Sequence, residues 1–255
     1  MLPSYERVGG PKPKIQIAFG RFAIYTVCLP LLSFIFCVIW SVLFFFERST
    51  FTHCDVPNYL PSISAAIGSY QPQRFVWQLA ICIHLLPRLG VAKMYVEYYH
   101  EIIRFKFMPL AHFACLLNVI ENLALLGLSM WTSSDSYETH KFCFILFIAT
   151  SEIYMLISYF LNKLGKKMTT STRQEELALK YKGSLFLINI IAFAMAGYFF
   201  VRHNNHCEPG VYTYFAFFEY IVVLTNMGYH MTAYWDFFGR TLSFDWENGL
   251  YFTRS

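Results

Sequence analysis

The sequence predicts an all-α polytopic membrane protein: a six-helix bundle with both termini cytosolic and a lumenal cap tied by one disulfide. Three observations carry that prediction. Of 255 residues, 56% are hydrophobic and only 14% charged, where a soluble domain carries roughly 25% charged residues. Apolar runs long enough to cross about 30 Å of hydrocarbon as helices recur along the chain. The Lys and Arg residues fall unevenly on alternate loops, which sets an orientation. A net charge of +4 does not argue for a nucleic-acid partner. The chain reads without a repeat, a low-complexity tract or a glycine-rich phosphate loop.

Taken in order, residues 1–21 hold Pro3, Pro11 and Pro13 among Arg7, Lys12, Lys14 and Arg21, and read as a flexible tail. The first apolar run, 22–46, is longer than the roughly 7–15 apolar residues of a secretory signal, so it is expected to stay as an anchor. Further spans fall near 76–96, 110–131, 141–161, 183–201 and 212–235. The whole of 22–235 then forms one transmembrane domain, and 236–255 a second tail. Six spans place both tails on one side. That side collects fourteen Lys and Arg against four on the other, Arg48, Arg74, Lys141 and Arg202, so it is the cytosolic one.

Five of the seven cysteines (28, 37, 82, 115 and 143) lie within spans. Cys54 and Cys207 lie in the two largest loops of the opposite side, where an oxidising lumen allows pairing. The choice there is one disulfide or two free thiols.

Ionisable groups at membrane depth are costly and point to function. His84 and Arg88 share a face of the second span, and Asn118, Glu121 and Asn122 a face of the third. Glu152 lies in the fourth, Asn189 in the fifth. In the last span, Glu219, Asn226 and His230 are offset by seven and eleven residues, within about 40° of one another on a helix. At a rise of about 1.5 Å per residue, these groups converge in the lumenal half of the bundle, except His230, which reads as nearer the cytosolic end or interfacial. Either Arg88 and the amides are interhelical glue, or a His–carboxylate pair acts as general base on a hydroxyl. The catalytic candidates are His84 as base, Glu121 or Glu219 orienting it, and Arg88 holding a phosphate or an oxyanion.

The lumenal loops hold His53, Asn58, Arg74, Arg202, His203 and Glu208. They read as a cap that either binds an anionic, sugar-bearing head group or forms a rigid lid, with Asn226 and His230 adding to the binding set. His53, His203, His206 and Cys207 have no ligand spacing for a metal, and none is expected.

The segments THCDVPNYLPSISAAIG, PQRFVW, LNVIENLALL and RHNNHCEPGVYT, followed by HMTAYWDF, resemble the membrane family that contains GPI-remodelling factors, the damage-regulated autophagy modulators and the Sfk proteins. The resemblance runs collinearly over roughly residues 20–240. It implies a Golgi membrane protein, with the endoplasmic reticulum as the other location. There it would reacylate lyso-GPI of GPI-anchored proteins at sn-2 with a saturated, stearoyl chain. No bound cofactor is expected; the acyl donor, acyl-CoA or phospholipid, is a co-substrate. Membrane lipids and GPI-anchored proteins are the expected partners. A lipid-presenting or scaffolding subunit without catalysis is the alternative, and a transporter or scramblase a third reading.

Overall fold

The computed structural model describes residues 15–167, 172–245 and 249–254. Its long helices are α1 (Phe19–Phe44), α4 (Gln73–Ile102), α5 (Met108–Met130), α6 (Tyr137–Leu164), α7 (Arg173–His206) and α8 (Val211–Met231). Short helices α2 (Phe46–Thr50) and α3 (Ile63–Gly68) lie between α1 and α4, and α9 (Ala233–Asp236) follows α8. Among the described residues, five helices are long and apolar enough to cross a membrane: α1, α4, α5 with its preceding 3-10 turn, α6 and α7. The chain is a multi-pass membrane protein. Helix α8 is 21 residues long but stands outside that group, because Glu219, Asn226, His230 and its tyrosines dilute its apolar residues.

The helix walls explain the arrangement. Leu32, Leu43, Leu86, Leu187 and Ile191 are each more than half exposed, which suits lipid rather than water. The buried contacts use small residues: Ala111, Ala114 and Ala216 are wholly buried. In lipid, where apolar burial gives little driving force, close approach and dispersion do the packing. A Cβ on Gly127 of α5 would lie 2.8 Å from Cys143 Sγ of α6, so any larger residue there must displace the Cys143 side chain.

Both ends of the described chain meet at one end of the bundle. Strand β1 (Ile15–Ala18) pairs antiparallel with β2 (Arg240–Asp245), from Ile15↔Phe244 to Ala18↔Thr241. β2 pairs with β3 (Gly249–Arg254). The tail of residues 1–21 reads as flexible from sequence; its described residues 15–18 instead form a strand in one sheet with residues 240–245 and 249–254 of the second tail, while residues 1–14 lie outside the described residues. The alternation of Leu242 and Phe244 with polar neighbours is the period of a half-buried strand, and Leu242 joins the main core with Phe19, Tyr95, Tyr98, Tyr99 and Phe237. At the same end, Ile103 bridges Lys166, joining the α4–α5 and α6–α7 connections. Helix α7 also starts ten residues before the expected span, on a capping box in which Thr172 and Glu175 exchange hydrogen bonds.

The opposite end is a lid. Cys54 and Cys207 form a disulfide that ties the α1–α4 loop to the end of α7. Gly210, at φ 77°, turns the chain into α8 and its N–H donates to the Pro57 carbonyl at 2.8 Å. Arg74 donates to both oxygens of Asp135, at 3.1 and 2.6 Å, closing the lid onto the α5–α6 turn.

Removing the disulfide with Cys207→Ala is expected to cost about 2–4 kcal/mol, the usual worth of such a link, read as a lower melting temperature in detergent. Melting at the wild-type temperature would show that the staple does not stabilise the fold. The Arg74 hydrogen bonds hold the Asp135 carboxyl below its usual range. A depressed carboxylate stabilises the fold above its unfolded pKa and loses that contribution as pH falls through its folded value. Melting curves from neutral to acid pH should therefore show a smaller acid loss in Asp135→Asn than in wild type; identical slopes would remove this pair from the lid's pH response.

Candidate functional site

Beneath the lid lies a cavity of about 340 Å³, within the size range of small-molecule sites. Phe144, Phe147, Phe193, Phe200, Phe215 and Val222 are among its apolar walls. Its polar groups fall into two tiers. On α5, Glu121 and Ser129 both line it, eight residues apart, or about 12 Å along the axis. On α8, Glu219 and Asn226 also line it, seven residues apart, or about 10 Å along the axis.

The deep tier centres on Glu121, which is 2% exposed. Asn226 donates to its Oε1 at 3.0 Å and to Ser151 Oγ at 2.5 Å. His230 Nε2 lies 2.9 Å from the same Oε1, and Arg88 Nη2 stands 3.9 Å from Oε2. Arg88 Nε donates to Asn122 Oδ1 at 3.0 Å, and Asn122 in turn donates to the carbonyl and side chain of Asn118. Arg88 Nη2 is also 3.0 Å from His230 Nε2. One nitrogen cannot donate to Glu121 and accept from Arg88 at once, and arginine only donates. The proton on the His230 ring therefore decides whether Nε2 donates to Glu121 or accepts from Arg88. Tyr154 stacks on the His230 ring, centroids 5.5 Å apart.

His84 was expected to pair with Glu121 or Glu219. It pairs with neither; its Nδ1–H donates to the Thr26 carbonyl at 2.8 Å. The cause lies in α1. Pro30 has no N–H, so the carbonyl four residues back, that of Thr26, has no helical donor and is free to accept from His84. Nε2 of His84 is left as the lone-pair nitrogen, without a hydrogen bond among the described residues, on a side chain that lines the cavity. The His–carboxylate pair that does form is His230–Glu121, so His230, its side chain 7% exposed, points into the bundle as a member of the site.

The upper tier holds Glu219, Ser64, His140 and Ser129. Glu219 Oε2 accepts from the Ile63 N–H at 2.8 Å, which docks α3 on α8. Trp77 Nε1 donates to Ser129 Oγ at 2.9 Å. His140 Nδ1 lies 2.9 Å from the Trp131 carbonyl and its Nε2 lies 2.9 Å from Ser64 Oγ. Ser64 and His140 were not singled out from the sequence: 76 residues separate them, no motif links them, and only the folded lid brings them together.

The expected head-group residues are largely engaged with one another. Arg202 pairs with Glu208 at 2.7 Å and donates to Tyr198 Oη. Arg74 is held by Asp135. His203 is buried, with Nε2 3.1 Å from Thr52 Oγ1, and Asn58 donates back to the Val56 carbonyl. His53 is exposed and lies beside Cys54 Sγ at 3.4 Å. His53, Cys54 and Cys207 come within 4.8 Å of one another, but both sulfurs are committed to the disulfide, which removes them as thiolate ligands.

The profile of the family described as "Frag1/DRAM/Sfk1/Cwh43P N-terminal domain" matches residues 18–239. The chain belongs to this family. Among its relatives, a Drosophila melanogaster protein named "Post-GPI attachment to proteins factor 2" is 58% identical over the full length of both chains. A Xenopus tropicalis protein named "Acyltransferase PGAP2" is 42% identical over 91% of this chain and 93% of its own. A Caenorhabditis elegans protein named "Post-GPI attachment to proteins factor 2" is 38% identical over 89% of each. No solved structure matches. The family match spans both polar tiers, the lid cysteines and all six long helices.

Replacing one member of a buried charge pair leaves the other unpaired and costs about 3–5 kcal/mol. Glu121→Leu is therefore expected to destabilise the protein strongly, and Arg88→Met in the same chain to recover part of the loss. Additive losses in the thermal or denaturant cycle would mean that the two groups do not compensate each other.

Proposed function

We propose that this protein remodels GPI anchors, reacylating the lyso-GPI of GPI-anchored proteins at sn-2 with a saturated, stearoyl chain. In this reading it is a Golgi membrane protein with six spans, the lid lumenal and both termini cytosolic. The names of its relatives support the substrate class. The Lys and Arg asymmetry supports the orientation, and the pairing of β1 with β2 supports an even number of crossings.

The observation that carries the reading is the cavity itself. Its aromatic and aliphatic walls suit an acyl chain, and its polar tiers suit the glycerol end of a lipid. A lyso-lipid offers a free hydroxyl, and acyl transfer needs its proton removed by a positioned base. His84 is the first residue to test, because its side chain lines the cavity and its Nε2 has no hydrogen bond among the described residues. Glu121, with Arg88 and His230 around it, supplies a charged group beside that hydroxyl that is already dehydrated and held in place. The co-substrate is an acyl-CoA or a phospholipid. A second reading, a lipid-presenting subunit without catalysis, draws on the same deep tier, whose hydrogen bonds also join α4, α5, α6 and α8.

The test uses the purified protein in liposomes with lyso-GPI and labelled acyl-CoA or phospholipid, supplied separately. The expected result is acyl transfer to sn-2, slowed about 10²–10⁴-fold in His84→Ala or Glu121→Gln, the usual worth of acid–base groups. Binding of lyso-GPI without transfer from either donor would select the second reading.

A further inference from the structure

From the upper tier we infer that Ser64 and His140 form a nucleophile–base pair that carries the acyl chain as a serine ester. This rests on the acyl-transfer reading and deepens it, replacing one direct transfer by two half-reactions.

The geometry supplies three parts of an activated serine. A nucleophile stands within hydrogen-bond reach of a base: Ser64 Oγ to His140 Nε2 is 2.9 Å. An orienting group holds that base: the Trp131 carbonyl lies 2.9 Å from Nδ1. A carbonyl oxygen only accepts, so Nδ1 carries the proton. In the neutral ring Nε2 then has the lone pair, and Ser64 O–H must be the donor. The third part is access to substrate, because Ser64 and His140 both line the apolar-walled cavity. His140 is 8% exposed, so bulk water has little access to its ring. The pair sits at the lid end, at the level of Ser129 rather than of Glu121, where the ester region of a lipid from the adjoining leaflet would enter.

In the first half-reaction Ser64 Oγ attacks the carbonyl carbon of an acyl ester or thioester, and its proton passes to His140 Nε2. The bond from acyl carbon to donor oxygen or sulfur breaks, and the leaving group takes that proton. In the second, the lyso-lipid hydroxyl gives its proton to His140 Nε2 and its oxygen attacks the serine ester. The Ser64–acyl bond breaks, and Ser64 Oγ regains the proton. Oxidation states do not change, and no further reactant is needed. In this two-step route His140 replaces His84 as the base, and His84 and Arg88, about two helical turns deeper, would position the lyso-lipid.

The test treats the full-length protein in detergent with an alkyl fluorophosphonate, whose phosphorus accepts an activated serine oxygen with loss of fluoride, followed by peptide mapping. Label is expected on Ser64. It should be lost in Ser64→Ala, slowed about 10²–10⁴-fold in His140→Gln, and retained in Ser69→Ala, a serine on the same lid that bonds Ser134. Ser64→Cys keeps a nucleophile in place; incubated with acyl donor alone, it should gain one acyl mass that hydroxylamine removes. Label on another residue, no label on the folded wild type, or full acyl transfer by Ser64→Ala would overturn the inference. Labelling of Ser64 without any transfer to lyso-GPI would leave the dyad standing and remove the lyso-GPI acceptor instead.

Discussion

A polar group at membrane depth finds no water, so its partner must be protein or substrate. The centre of this structure follows from that constraint. Arg88 cannot be left alone in hydrocarbon, and Glu121, Asn122 and His230 gather around it from α5 and α8. Asn226 then extends the network to Ser151 of α6. The proline in α1 belongs to the same accounting. By lacking an N–H, Pro30 releases the Thr26 carbonyl, and His84 of α4 satisfies it. Local chain chemistry thereby decides which histidine nitrogen is tied up and which keeps its lone pair.

The lid obeys a different rule. Two of its cations are balanced at short range, Arg74 by Asp135 and Arg202 by Glu208, so these charge pairs tie the lid as well as the Cys54–Cys207 link. Its underside docks through Ile63 on Glu219 and through Ser64 on His140. The same contacts that close the lid therefore place a hydroxyl and an imidazole at the top of an apolar chamber. At the far end, Lys182, Asp236 and Tyr95 form a second buried polar group, and the sheet joins both tails beside it. The cavity lies between two ends that are each cross-linked across the chain.

Much of this was legible in the sequence because lipid imposes long, countable patterns. The six long helices fall where the apolar runs are, and the loop cysteines pair. The stripe of Glu219, Asn226 and His230 faces the interior, as its helical spacing requires. Pairings between helices were not legible. Helical periodicity gives the face of His84 but not that its neighbour is a carbonyl freed by Pro30. His230 looked interfacial because depth was counted along a straight helix, without Glu121 to draw it inward. Ser64 and His140 carry no local signal, since their meeting depends on a lid that folds across three helix ends. The tail strands carry a weak sequence signal, because six residues of alternation are faint beside twenty of uniform hydropathy.

Acyl transfer at this site requires that the cavity hold a lipid chain. The most direct measurement is photocrosslinking of the reconstituted protein with a lyso-lipid bearing a diazirine along its acyl chain, followed by peptide mapping. The structure predicts adducts on Phe147, Phe193 and Val222, competed by unlabelled lyso-GPI. Adducts confined to the outer wall at Leu86, Leu187 and Ile191, and insensitive to competitor, would contradict it.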